Sequence, residues 1–239
     1  MKILIFSFLI LFTSFYLNAE LLDLSISYVG ISVASVTMEN KEHTITVKTN
    51  TGFLISLASQ VDNTYQIKYK ENYFPLSYHK NIDQNDFAEN NMYIYDHDNH
   101  NVTVYSYPDS TKEKSYEILP ESRDFFSALY YLRGQLHNEE GSIILDVNKI
   151  PWQVNYQVVD REGRRTALGR IPTKKVRLEF TKLSDQPKEH SDILTSNLVS
   201  ESNNLLFWFS DDDRNIPVRA RFDSSPFPVI WKLNSYEDQ

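Results

Sequence analysis

Strict alternation of apolar and polar side chains limits this chain more than any other feature. Trp152, Val154, Tyr156 and Val158 are separated by the single polar residues Gln153, Asn155 and Gln157. A period of two puts every apolar member on one face of a pleated strand and on no single face of a helix. The same rhythm returns at Leu24, Ile26 and Tyr28, at Ile45 and Val47, and at Tyr65, Ile67 and Tyr69. It returns again at Val176, Leu178 and Phe180, with Lys175, Arg177 and Glu179 on the other face. Turn-forming clusters such as Asn40-Lys41-Glu42, Asp96–Asn101, Asp160–Gly163 and Asp211–Asn215 punctuate these runs. The spacing predicts roughly ten antiparallel strands, and a sheet of that size must curl or split. The expected fold is therefore mainly β: a strongly curved antiparallel sheet or half-barrel, with a two-sheet sandwich as the alternative.

One stretch breaks the rhythm. In Ser122–Gly134, Phe125, Ala128, Leu129 and Leu132 recur at helical spacing, and Phe126 and Tyr130 widen their face. Ser122 or Asp124 can cap the start, and Gly134 can end it in a left-handed conformation. This predicts a helix near 123–133, closing the mouth or floor of the sheet. Phe53–Ala58 reads as a short helix running towards Ser59, and Leu183–Val199 as a polar surface loop.

Met1-Lys2, the apolar run Ile3–Leu17 and Leu17-Asn18-Ala19 have the order of a secretory signal peptide cut after Ala19. The expected domain organisation is a cleaved 1–19 segment and one β-rich domain over 20–239, periplasmic or otherwise secreted, with no transmembrane segment in the mature form. No cysteine is present, which excludes disulfides, thiolate nucleophiles and thiolate metal sites. The net charge of -8 argues against nucleic acid as a partner. That charge is unevenly spread. Arg161, Arg164, Arg165, Arg170, Lys174, Lys175, Arg177 and Lys182 face only Glu162 and Glu179 within 161–182. Such a segment suits an anionic membrane surface or an acidic envelope partner, unless it is merely the solvated side of two strands.

No constellation of catalytic residues emerges. Asp96, His97, Asp98 and His100 offer metal-ligating atoms at a loose spacing that reads better as a solvated turn. Asp211, Asp212 and Asp213 lack the glycine and distant glutamate of a calcium loop. Glu20, Glu117, Glu121 and Asp124 form no recognisable acid–base pair, His79 and His190 stand alone, and no serine sits in a hydrolase elbow. Neither a metal nor a cofactor is expected.

Two longer phrases resemble a known family. Asp124–Arg133 resembles the central motif of the DUF3108 family, a group of secreted bacterial proteins of unknown function, and Phe207–Val218 resembles a second motif of that family. Tyr28-Val29-Gly30-Ile31, Phe74-Pro75-Leu76 and Leu168-Gly169 with the basic strand that follows fit the same layout. The chain departs from the family pattern in lacking a glycine near Val33-Ala34 and in carrying Ser224-Ser225-Pro226 at a turn that is otherwise glycine-rich. The resemblance implies no catalytic residues. It also suggests a more distant fold-level likeness to the periplasmic carriers of outer-membrane lipoproteins. These readings lead to a non-catalytic carrier of an apolar or acylated ligand, lined by Phe125, Leu129, Trp152, Tyr156 and Trp208, with a lipid or lipoprotein segment as partner. The alternatives are an envelope scaffold acting through protein contacts and, least favoured, a hydrolase of the cell envelope.

Overall fold

Each alternating run forms a strand with its apolar side turned to one shared core. The computed structural model describes residues 19–52, 60–85, 87–107, 111–188, 190–223 and 226–238. Residues 1–18 of the expected leader, the helix expected at Phe53–Ala58 and Ser224-Ser225 lie outside the described residues. The first half supplies β1 (Glu20–Tyr28), β2 (Ile31–Lys41), β3 (Thr44–Thr51), β4 (Val61–Lys70), β5 (Phe74–Gln84), β6 (Phe87–Asp96), β7 (Asn101–Ser106) and β8 (Thr111–Glu117). Helix α1 (Phe125–Gln135) follows, then β9 (Glu140–Val147), β10 (Ile150–Thr166) and β11 (Gly169–Lys182). Helix α2 (Ile193–Leu198), β12 (Leu205–Ser210), β13 (Pro217–Phe222) and β14 (Val229–Asp238) complete the chain.

Among the described residues the strands form one 14-stranded antiparallel sheet, ordered β8-β7-β6-β5-β4-β3-β2-β1-β14-β13-β12-β11-β10-β9. This corrects both fold expectations. The sheet is neither the strongly curved half-barrel nor a pair of stacked sheets. It is one open ribbon, and among the described residues no ladder joins β8 to β9. The physical reason lies in what covers the apolar face. Helix α1, and Leu194, Leu198 and Val199 in and after α2, are buried with the inward strand residues in one core, so burial does not require the sheet to close on itself. The segment expected as a polar loop at Leu183–Val199 is corrected at the same point, because it contains α2.

Asp124 caps α1, accepting from the Phe126 and Ser127 amides at 2.9 and 3.1 Å and from the Ser127 hydroxyl. Gly134 stays within the helix, which is capped at its C-terminus by Leu136 instead of by a left-handed glycine. Phe125, Ala128, Leu129 and Leu132 pack on Ile143, Leu145, Val154 and Leu178 of β9–β11. On the opposite side the Phe126 ring lies 5.0 Å from that of Tyr65, and Tyr130 stacks on Tyr73. Leu129 is 7% exposed. We expect Leu129→Ala to lower unfolding free energy by about 2–5 kcal/mol in urea titrations, as for other buried leucines.

Arg133, at the last turn of α1, holds Glu20 of β1 through two hydrogen bonds of 2.7 and 2.6 Å. Its Nε donates to the Asn215 carbonyl at 3.1 Å, and Asn215 Nδ2 donates back to the Arg133 carbonyl at 2.8 Å. The carboxylate met by Arg133 is thus Glu20; Asp211 pairs with Lys174 at 3.3 Å and Arg161 at 3.5 Å. The two sequence phrases, around α1 and around the β12–β13 turn, are therefore one clasp in space.

Candidate functional site

Over the middle strands of the sheet, β4 to β1, β14 and β13, α2 covers the apolar face and leaves a groove of about 230 Å³. Ile26, Ala34 and Val61 form part of its floor, Phe222 and Trp231 one flank, and Leu198 part of its roof. The floor follows from strand parity: Ile26 pairs with Ala34 and with Trp231, so all three share one face of β1, β2 and β14. Two polar groups in the lining have no partner among the described residues, the Thr49 hydroxyl and the Trp231 indole N–H. Thr49 is 3% and Trp231 4% exposed. A buried donor without an acceptor is costly, so each is ready for a ligand oxygen.

Helix α2 is held there by a buried ionic cluster. Asp192 caps it, accepting from the Thr195 amide at 2.8 Å and the Thr195 hydroxyl at 2.6 Å. The Tyr65 hydroxyl donates to the same carboxylate at 2.7 Å, and Lys80 lies 3.0 Å from it and 3.2 Å from Glu89. Burial pulls the Lys80 pKa down, but Asp192 and Glu89 outweigh it and hold the ammonium above the ordinary lysine value. Burial pushes Asp192 up, and Lys80 and the Thr195 and Tyr65 donors more than offset this, holding it below the ordinary carboxylate value. Both groups are therefore charged. Ser191 Oγ lies 3.5 Å from Lys80 Nζ, but a protonated lysine removes no proton, so this pair is not a Ser–Lys nucleophile. Lys80, Glu89, Asn148, Lys149 and Ser191 also edge a polar cleft of about 430 Å³.

Asp146 of β9 is a second buried carboxyl. It accepts from Tyr116 at 2.6 Å and Tyr95 at 3.3 Å. Burial raises its pKa to about 6, against the lowering effect of the two hydroxyls. A carboxyl raised on folding favours the native state below its unfolded pKa, and that share is lost as pH rises through the folded one. Asp146 thus stabilises towards pH 4 and ceases to do so above about pH 6. The expected result is that the difference in urea midpoint between the native chain and Asp146→Asn shrinks from pH 4 to pH 7. A difference constant across that range would show an ordinary carboxyl.

The five side chains expected to line a ligand site do not come together. Phe125 and Leu129 fill the α1 interface, and Trp152 and Tyr156 are buried on the same side of the sheet. Trp208 has the parity opposite to Phe207 and Phe209 and sits on the outer face, beneath Arg164 at 4.4 Å with Lys175 and Arg219 at 5.5 Å. Its indole N–H donates to Glu162 at 2.6 Å. Of the expected basic surface, Arg161 pairs with Glu139, Arg164 with Glu162 and Arg177 with Glu179. Arg165 and Arg170 face each other, exposed, near the end of the β10–β11 hairpin.

The acidic turns are explained locally. Asp96 accepts from Asn99, and His97 meets the Pro75 carbonyl at 2.8 Å. Asp212 accepts from the Arg214 and Asn215 amides. Among the described residues no group of three His, Asp or Glu side chains is placed to hold a metal. No described helix is long and apolar enough to cross a membrane.

Sequence reasoning missed Lys80 and Asp192. The signals were present. Tyr78, Lys80 and Ile82 alternate, which turns a lysine towards the core, and Asp192 precedes Ile193, Leu194 and Leu198 as an N-cap precedes an apolar face.

Among curated proteins, no sequence matches the chain. In fold it is similar to the crystal structure of a protein from Brucella abortus described as a beta-barrel-like protein of domain of unknown function DUF1849. The TM-score is 0.55 at 10% identity, over 93% of this chain and 98% of that one. At that identity the likeness is one of fold alone, and it gives no support to a link with lipoprotein carriers. The family model for the protein of unknown function DUF3108 matches residues 23–226, which contain both the α1 phrase and the β12–β13 phrase of the clasp. The chain belongs to the DUF3108 family.

Proposed function

We propose that this protein is a non-catalytic binding protein of the periplasm, or otherwise secreted, that holds the acyl chain of a lipid or acylated segment in the groove beneath α2. The observation that carries this reading is the groove itself: about 230 Å³, walled almost wholly by apolar side chains. The Thr49 hydroxyl and the Trp231 indole N–H in its lining, unpartnered among the described residues, would donate to an ester or carboxylate oxygen. Each methylene transferred from water contributes about 0.8 kcal/mol, which is roughly a fourfold gain in affinity.

The test is titration with a fluorescent fatty acid and displacement by unlabelled acids of increasing length. Saturable binding is expected, tightening by roughly fourfold per methylene until the groove is full. Ala34→Trp, which puts an indole into the floor, should abolish it while the protein stays folded by circular dichroism. Absence of saturable binding in the unmodified protein, or undiminished binding by folded Ala34→Trp, would refute the proposal.

A further inference from the structure

The side of the sheet facing away from the groove carries an ordered array of cations. Across four strands the directly paired residues read Lys175, Trp208, Arg219 and Lys232. One pleat along, the row reads Arg177, Leu206, Arg221 and Ile230. Adjacent strands bring these side chains within reach of one another, and like charges placed so repel. Arg177 and Arg221 are relieved by Glu179 and Asp223 in their own strands or just beyond. Lys175, Arg219 and Lys232 have no carboxylate within ion-pair distance among the described residues, and Arg219 Nε is buried with no acceptor. Trp208, pinned by Glu162, keeps Arg164, Lys175 and Arg219 gathered over one indole.

Beside this array, β10 and β11 continue beyond their neighbours. β9 pairs with β10 no further than Gln157, and β12 pairs with β11 only from Thr173 onward. The two-stranded arm between carries Arg164, Arg165 and Arg170, and from Arg164 to Lys175 there is no acidic residue. Arg164, opposite Ile171, shares the outer face with Lys175 and pairs with Glu162, whereas Arg165 and Arg170 lie on the opposite side of the arm. In a chain with a net charge of -8, the unneutralised cations of the outer face are thus Lys175, Arg219 and Lys232.

We propose that this face docks on an anionic phospholipid surface, with Lys175, Arg219 and Lys232 taking headgroup phosphates. Lys175 and Lys232 are three strand spacings apart, roughly 14 Å, which one phosphate cannot bridge. The array therefore matches a plane of many anions. The half-buried Leu206 and Ile230 between the cations suit the boundary of headgroups and glycerol. Because the groove opens on the other face of the sheet, docking leaves it accessible, and the proposal stands independently of acyl binding.

The experiment is vesicle flotation of the full chain with neutral phosphatidylcholine, and with phosphatidylcholine containing phosphatidylglycerol. Binding is expected to the anionic vesicles alone, and to fall at least about tenfold as salt rises from about 0.05 to 0.5 M. Lys175→Glu/Lys232→Glu should lose at least about tenfold in vesicle affinity, with an unchanged unfolding midpoint and unchanged fatty-acid titration. Lys41→Glu/Lys68→Glu, on distant strands, should bind as the native chain does. Equal binding to neutral vesicles, no binding to anionic ones, or undiminished binding by the folded Lys175→Glu/Lys232→Glu variant would overturn the proposal. Binding of soluble polyphosphate without binding of vesicles would overturn it too, by making the face a reader of free polyanions.

Discussion

Lys80→Met is expected to lose about 3–5 kcal/mol of unfolding free energy, read as a drop in urea midpoint at neutral pH. Lys80 is 3% and Asp192 0% exposed. Removing the ammonium leaves the Asp192 carboxylate buried with only hydroxyl and amide donors, and deprives Glu89 of its cation as well. The desolvation already incurred by those carboxylates is then uncompensated, which is why breaking a buried pair costs more than the pair itself contributes. The damage should spread through α2, since Asp192 is its cap. Hydrogen exchange at the Thr195 amide should accelerate more than at Val154 in the far half of the sheet. A loss of about 1 kcal/mol, the size of an ordinary hydrogen bond, would show that the cluster is solvated in solution.

Phe126→Ala is expected to cost about 3–5 kcal/mol, because its ring is almost wholly buried and too large for neighbours to fill. Phe126→Leu should recover much of the loss. The ring touches Tyr65, whose hydroxyl holds Asp192, which holds Lys80. Substitutions that share a network do not add. The Phe126→Ala/Lys80→Met pair should therefore lose clearly less than the sum of its singles, whereas Leu129→Ala with Lys80→Met should be nearly additive. Strict additivity of Phe126 and Lys80 would separate α1 from the ionic cluster.

The alternation at Trp152–Val158 and at Val176–Phe180 announces strands because each inward residue is apolar and each outward one polar. Helix α1 is equally plain from Phe125, Leu129 and Leu132. Helix α2 is not, since six residues between polar segments give too few periods to stand out. The open sheet was illegible for another reason. A period of two says which face is buried, but not whether a helix, a second sheet or the sheet itself does the covering. The groove suffers from the same ambiguity: Ile26, Ala34 and Trp231 read as inward, and only the placement of α2 shows a groove above them among the described residues. The basic face was visible as a segment, Arg161–Lys182. Its other half, Arg219 and Lys232, lies 37 and 50 residues beyond Lys182 and joins it only through the ladders of β11 to β14.

The ladder between β1 and β14 makes the two ends of the described chain neighbours, with Glu20 opposite Asp238. Every other ladder joins strands that are consecutive in sequence. The topology is thus a circularly permuted meander, whose seam falls in mid-chain between β8 and β9 instead of at the termini. Two half-ribbons, β1–β8 and β9–β14, can each zip through local hairpins, and one long-range event joins them. In a chain that emerges N-terminus first, β1 waits with an unpaired edge until the last strand arrives, and for that interval it is open to pairing with another molecule. A permutant with Asp238 linked to Glu20 and new ends between β8 and α1 would have no such interval: each strand would meet its neighbour as soon as it appeared.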